Sequence, residues 1–235
     1  MHPTDKAARV AGAVYLSMVF TAPFALIYIP NTLIVRGNAT ATAEKILAHE
    51  MLFRLGMVAD MVSSVIFICL AIALYRLFCE VSKTQASLMV GLVLVSAAVG
   101  FLNVLNNMAA LTLFRGGEFL GVMDKTQREA LGMLFIRLHG QGNVINELFW
   151  GLWLLPFGML VIKSRFLPRI LGAWLIVNGL AYMAICLTGM LWPPYMSKVN
   201  DLLFPVLFGE LAIMLWLLIK GASQSAISRQ PSAVR

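Results

Sequence analysis

Three stretches of this chain carry no Asp, Glu, Lys or Arg at all: Val10 to Val35, Thr84 to Phe114 and Ile170 to Ser197. Each is longer than the roughly 20 residues that cross a hydrocarbon core of about 30 Å. In such a solvent the backbone N–H and C=O groups have to find partners inside the protein, which leaves only helices and closed barrels. The runs are continuously apolar and lack the period-two alternation of a barrel strand, so helices are expected. Composition agrees: 60% of the 235 residues are hydrophobic and 12% are charged, against about 45–50% and about 25% in soluble domains. The expected class is an all-α, polytopic transmembrane bundle.

Six spans can be drawn, over about 7–29, 51–77, 86–114, 143–162, 167–190 and 201–219. Lys6 and Arg9 before the first run imitate a signal peptide, but the run is too long for one and reads as an uncleaved helix ending near Pro30-Asn31. Thr42 to His49 reads as a short helical approach to the second span. Asp124 followed by Gln127 resembles a capping box opening a helix that runs through Arg137. An unbroken helix from Lys125 to Ile162 would measure about 57 Å at about 1.5 Å per residue, more than a bilayer needs. Gly140-Gln141-Gly142 is therefore expected to separate an interfacial helix from span four. Residues 222–235, Ser-rich with Pro231, are expected to form a disordered cytoplasmic tail.

The net charge of +7 from 18 basic residues does not point to nucleic acid, because those residues punctuate the ends of apolar runs rather than forming a patch. They report topology instead. With the N-terminus inside, the inner face holds Lys6, Arg9, Arg76, Lys83, Lys163, Arg165, Arg169, Lys220, Arg229 and Arg235, ten of the eighteen. Both termini are thus expected in the cytoplasm. Cys69, Cys79 and Cys186 lie in or at the end of apolar segments without CxxC spacing, and read as buried thiols rather than a disulfide or zinc framework. Arg9-Val10-Ala11-Gly12-Ala13 is echoed by Arg169-Ile170-Leu171-Gly172-Ala173, a basic anchor followed by a small-residue packing site.

An ionisable residue inside a span costs roughly 2.5–3.5 kcal/mol on insertion scales, so each needs a partner, a wet cavity or a role. Asp60 is sixteen residues from Arg76, and Glu147 sixteen from Lys163, which places both about 24 Å from the inner anchors. Glu210 lies nearer the midplane. Asn103, Asn106 and Asn107 share one face of span three, and His139, Asn143 and Glu147 follow at i, i+4 and i+8. These polar groups gather toward the outer half, which suggests a pocket opening outward. The candidate ligand-binding residues are Arg54, Asp60, Asn103, Asn107, His139, Asn143, Glu147 and Glu210. Interhelical glue is the alternative, at about 0.6 kcal/mol per hydrogen bond. His49, His139, Asp60 and Glu147 are chemically suited to zinc, but no HExxH-like spacing supports a metal site, and no cofactor is implied.

Several strings in order resemble a known family. Leu52-Phe53-Arg54-Leu55-Gly56 with Asp60, then Ala73-Leu74-Tyr75-Arg76-Leu77, then Lys163-Ser164-Arg165-Phe166-Leu167-Pro168-Arg169-Ile170-Leu171-Gly172 are followed by Gly209-Glu210-Leu211 and Trp216-Leu217-Leu218-Ile219-Lys220-Gly221. Together, from about residue 7 to 221, they resemble the bacterial domain-of-unknown-function family 4386. The resemblance implies a six-helix protein of the bacterial inner membrane without an established activity. It singles out Arg54, Asp60, His139 and Glu210 as positions fitting the family's pattern, whereas span three is Asn-rich where a basic residue is expected.

Three functional classes follow. The first is binding, with or without transport, of a small solute, ion or lipid head group, with Asp60 and Glu210 as acidic groups and Arg54 as an anion anchor or counter-charge. The second is an accessory membrane subunit, as a homo-oligomer or with a partner protein. The less favoured third is a membrane enzyme using His139 and carboxylates for acid–base or metal chemistry. The orientation is directly testable. Alkaline phosphatase fused after Arg235 is expected to be inactive and a fluorescent protein fused there to be bright; an active phosphatase would reverse the topology.

Overall fold

The computed structural model describes residues 3–222, and every regular element among them is helical. Six segments are long and apolar enough to cross a membrane: Thr4–Leu33, Glu50–Phe78, Lys83–Arg115, Lys125–Ser164, Arg169–Leu191 and Pro193–Ile219. Large apolar side chains stand exposed along them, among them Phe20, Met51, Leu102, Ile170 and Leu202. Such exposure is untenable in water and ordinary against lipid. The chain is a multi-pass membrane protein.

The first span is helix α1 (Pro3–Pro23), a wider π turn (Phe24–Tyr28) and α2 (Ile29–Leu33). Within the π turn the Ile29 N–H reaches back five residues to the Phe24 carbonyl. Pro30 follows just after that turn and removes one N–H from the ladder without ending the helix. The helix therefore passes through the expected stop at Pro30 and ends at Leu33. Helix α3 (Ala39–Ala48) follows, its first turn capped by Asn38 Oδ1, which accepts from the Ala41 N–H at 2.9 Å. Helices α4 (Glu50–Phe78) and α5 (Lys83–Arg115) are uninterrupted.

Helix α6 (Lys125–Ser164) overturns the expected break. The capping box is present: the Gln127 N–H donates to Asp124 Oδ1 at 2.8 Å, and the Asp124 N–H to Gln127 Oε1 at 3.1 Å. The helix then continues through Gly140 and Gly142 for 40 residues, about 60 Å. Lys125 to Arg137 belong to this one helix rather than to a separate interfacial one. Glycine in a helix interior costs only about 1 kcal/mol relative to alanine, and Gly142 is needed for packing: a Cβ there would lie 2.2 Å from Asn103 Oδ1.

Helix α7 (Arg169–Leu191) is continuous, but the last span is not. A 3-10 turn (Pro193–Tyr195), helix α8 (Met196–Leu203), a second 3-10 turn (Phe204–Leu207) and α9 (Phe208–Ile219) replace the single helix expected over 201–219. Pro205 removes a donor from the interruption. Two side chains of α7 serve the carbonyls there: Trp174 Nε1 donates to Val206 O at 2.9 Å and Asn178 Nδ2 to Leu207 O at 3.3 Å. Non-helical backbone at membrane depth is tolerated when protein partners serve it in this way.

The described chain divides into two compact units. One comprises Met18–Val65 and Ala97–Ile145. Its core includes Ile29, Leu33, Ile46, Phe53, Leu111 and Phe114. The other takes the residues up to Ser17, Ile66–Ser96 and those from Asn146 onward. Its core is aromatic: Trp153 stacks on Phe157 at 5.3 Å, and Phe78 meets both Phe157 and Phe166. Glycines bring its helices close. Cβ atoms on Gly151 and Gly158 of α6 would lie 2.4 and 2.6 Å from the carbonyls of Gly179 and Gly172 on α7, and one on Gly12 would lie 2.5 Å from Leu218 N. Both glycines of the echoed string are thus contact points, as a packing motif requires.

The two ends of this unit are joined by Asp5, whose Oδ1 accepts from the Ala222 N–H at 3.3 Å. Gly221 makes the approach available, with φ +63° and a Cβ position only 1.9 Å from Asp5 Oδ1. Ala222, the first residue of the expected tail, is buried, and the remainder of that segment lies outside the described residues. Cys186 is buried as expected, but Cys79 is partly exposed and Cys69 is exposed. An apolar run fixes only that its helix lies in the membrane, and each thiol takes the environment of the helix face it occupies.

The glycine contacts give a direct test. Gly158→Val should destabilise the protein by about 1–3 kcal/mol through overpacking, read as a lowered unfolding midpoint in mixed micelles. Gly91→Ala, where a Cβ would meet nothing within 4 Å, should leave the midpoint unchanged or raise it.

Candidate functional site

Three helices of the first-described unit converge on His139. Asp60 comes from α4, Asn103 from α5, and His139 and Asn143 from one face of α6, a spacing of i, i+4 that survives only because α6 is unbroken. Asn103 and His139 bind each other reciprocally. Asn103 Nδ2 donates to the His139 backbone carbonyl at 2.9 Å, and His139 Nδ1 lies 3.1 Å from the Asn103 backbone carbonyl. Asn103 Nδ2 also donates to Asn143 Oδ1 at 3.0 Å, and its Oδ1 accepts from Asn106 Nδ2 at 3.0 Å. Asn103 is buried, as is Asn107 one turn further along α5.

This network assigns protons. A backbone carbonyl only accepts, so His139 Nδ1 carries its hydrogen. The other ring nitrogen, Nε2, has two neighbours at 3.5 Å: Asp60 Oδ2 and the Asn143 amide nitrogen. Asn143 Oδ1 is held by Asn103, which turns the amide NH₂ toward Nε2. Nε2 can therefore accept from Asn143 as a neutral ring, or donate to Asp60 as an imidazolium. Both side chains are largely buried, with relative exposures of 17% and 13%.

Arg54 is engaged elsewhere. Its Nε lies 2.7 Å from Glu50 Oε1, while Arg115 Nε lies 3.0 Å from Glu50 Oε2, so Glu50 joins the start of α4 to the end of α5. Both arginines are exposed. Arg54 thus has Glu50 as its counter-charge one turn away.

Glu147 and Glu210 belong to the other unit. Tyr15 Oη of α1 donates to Glu210 Oε2 of α9, and the Tyr182 hydroxyl of α7 faces the same carboxylate. Glu147 is close enough to Tyr182 and Cys186 to act on both electrostatically, and its Oε2 is buried without a hydrogen-bond partner. In the same unit Ser96 Oγ donates to Asn146 Oδ1 at 2.8 Å, both residues being buried. The eight sequence candidates thus fall into two sets, six in the unit of His139 and two in that of Tyr182. Among the described residues no three His, Cys, Asp or Glu side chains converge as a metal-binding group.

Sequence reasoning passed over Tyr15, Tyr182 and Asn146. The tyrosines carried a usable signal, since a phenol well inside an apolar run has to find a partner for its hydroxyl. Asn103 is the member whose removal should be felt most widely. Asn103→Ala is expected to lower stability by about 1–2 kcal/mol, from two interhelical bonds and one within α5 of about 0.6 kcal/mol each. Asn106→Ala, which loses one bond, should cost less in the same denaturation assay, and equal losses would contradict the network.

The chain has detectable relatives. A family model described as "Domain of unknown function (DUF4386)" matches residues 10–221. A protein of Archaeoglobus fulgidus named "Uncharacterized protein" is 29% identical over 164 residues, 70% of this chain and 82% of the relative. No solved structure matches the chain. With nearly the whole described chain inside the match, the protein belongs to the domain-of-unknown-function family DUF4386.

Proposed function

We propose that this is a bacterial inner-membrane protein, with both termini in the cytoplasm, that binds a small solute, ion or lipid head group and exchanges a proton at Asp60 and His139. The distribution of basic residues supports the orientation. The observation that carries the rest is the position of His139 Nε2, 3.5 Å from both Asp60 Oδ2 and the Asn143 amide. A ring with one nitrogen fixed and the other between an acceptor and a donor changes partner when it changes charge. The groups facing the ring are Asp60 from α4, Asn103 from α5 and Asn143 from its own helix. Arg54, Glu50 and Arg115 form the charged boundary of the same unit.

An accessory-subunit role is the second reading, favoured by the way Asn103 spends its amide on joining α5 to α6. Its signature is a constant membrane partner on purification and polar groups that never titrate. The two readings separate in proteoliposomes on a solid-supported membrane. A jump from about pH 8 to about pH 6 should give the wild-type protein a transient current. Asp60→Asn and His139→Ala should each abolish most of it, while Gly91→Ala should retain it. Currents equal to those of protein-free liposomes, or unaltered in both variants, would overturn the proton-exchange reading.

A further inference from the structure

We propose that Glu147 and Glu210, gathered with Tyr15 and Tyr182, form a second proton-binding site, in which protons take the place of basic partners. It goes beyond the exchange placed at Asp60 and His139, whose residues belong to the other unit. Four helices supply the cluster: α6 gives Glu147, α7 gives Tyr182, α9 gives Glu210 and α1 gives Tyr15.

Helix packing brings these groups together. A Cβ on Gly158 of α6 would lie 2.6 Å from the Gly172 carbonyl on α7, and one on Gly151, seven residues earlier, 2.4 Å from that of Gly179, seven residues later. The two helices therefore run antiparallel in a fixed register, and one more turn sets Glu147 level with Tyr182. The ring of Trp150 meets that of Tyr182 edge to face at 6.1 Å, in keeping with the register. The Tyr182 hydroxyl in turn faces Glu210, whose Oε2 accepts from Tyr15 Oη.

None of the groups facing the two acids is a cation. Glu147 is met by Tyr182 and Cys186 of α7, and Glu210 by Tyr15 of α1 and Tyr182 of α7. Within a turn on their own helices there is no other charged residue. Among the described residues no Lys, Arg or His forms an ion pair with either acid. Glu147 Oε2 is also buried and accepts no hydrogen bond. A carboxyl group withdrawn from water without a counter-charge escapes the cost of its charge by binding a proton.

Tyrosine suits such a site because its hydroxyl both donates and accepts. With Glu210 protonated, the acid's O–H donates to Tyr182 while Tyr15 donates to Oε2. When the proton passes to a base in the water, its bonding electrons stay on the carboxylate and Tyr182 turns its hydrogen toward them. Glu210 keeps two hydrogen-bond partners in both states, so its proton can leave without stranding a polar atom.

Infrared spectroscopy of the full-length protein in lipid bilayers tests this. At about pH 8, where a carboxyl group in water is ionised, the wild-type protein should show a protonated-carboxyl C=O band that moves to lower frequency in heavy water. Glu147→Gln and Glu210→Gln should each remove one component of it, and Tyr182→Phe, which takes away a hydrogen-bond partner, should move the Glu210 component to higher frequency. Asp60→Asn should leave both components in place. Where one Glu variant fails to fold, the other and Tyr182→Phe decide. Absence of the band, or a band intact in both Glu variants, overturns the inference. A band lost only in Asp60→Asn overturns it too, while leaving the exchange at Asp60 and His139 standing.

Discussion

A polar group taken into hydrocarbon must be met by another polar group of the protein, and the bond pair between Asn103 and His139 is where this constraint is concentrated. Each side chain bonds the other's backbone carbonyl, so two helices are joined through four groups contributed by two residues. The pairing depends on backbone proximity, which Gly142 provides by having no side chain where Asn103 stands. Once formed, it fixes the histidine's tautomer and leaves a single ring nitrogen to interact with Asp60 and Asn143. Structure and chemistry share one set of bonds here. An arrangement that holds the helices together also leaves one ring nitrogen between Asp60 and Asn143, where the proposed exchange is placed.

The same constraint explains the broken last span. An interrupted helix in a membrane exposes carbonyls, and Trp174 and Asn178 of α7 take up those of Val206 and Leu207. Glu210 stands just beyond that interruption, in the first turn of α9, and is met by Tyr15. The acid is therefore carried by a short helix whose start is secured by side chains of α7. Close glycine contacts between α6 and α7 hold the remainder of that unit.

Much of this was legible in the chain. Charge-free runs point to an all-helical membrane protein with six spans, and Asp124 with Gln127 marks a helix start that the structure reproduces bond for bond. Spacing groups His139, Asn143 and Glu147; the first two do lie against Asn103 and Asp60, whereas Glu147 belongs to the other unit. Glycine and proline mislead. Gly140 and Gly142 read as a break because a glycine's local cost is visible in sequence, whereas the close approach that compensates for it lies on another helix. Pro30 reads as a terminus because a π turn that accommodates it leaves no compositional trace. The Tyr15–Glu210 contact joins positions 195 residues apart, and local periodicity carries no information at that separation.

The scaffold fixes one nitrogen of His139 and leaves the other facing Asp60 and Asn143, where the proposed proton exchange is placed. Solid-state nitrogen NMR of ¹⁵N-histidine-labelled protein in lipid bilayers, with His139 assigned by His139→Gln, measures this directly. Nδ1 should remain protonated at every pH, and Nε2 should change from bare to protonated as pH falls, with that transition displaced in Asp60→Asn. A ring that carries its neutral-state proton on Nε2, or an Nε2 signal indifferent to pH and to Asp60, would contradict the account.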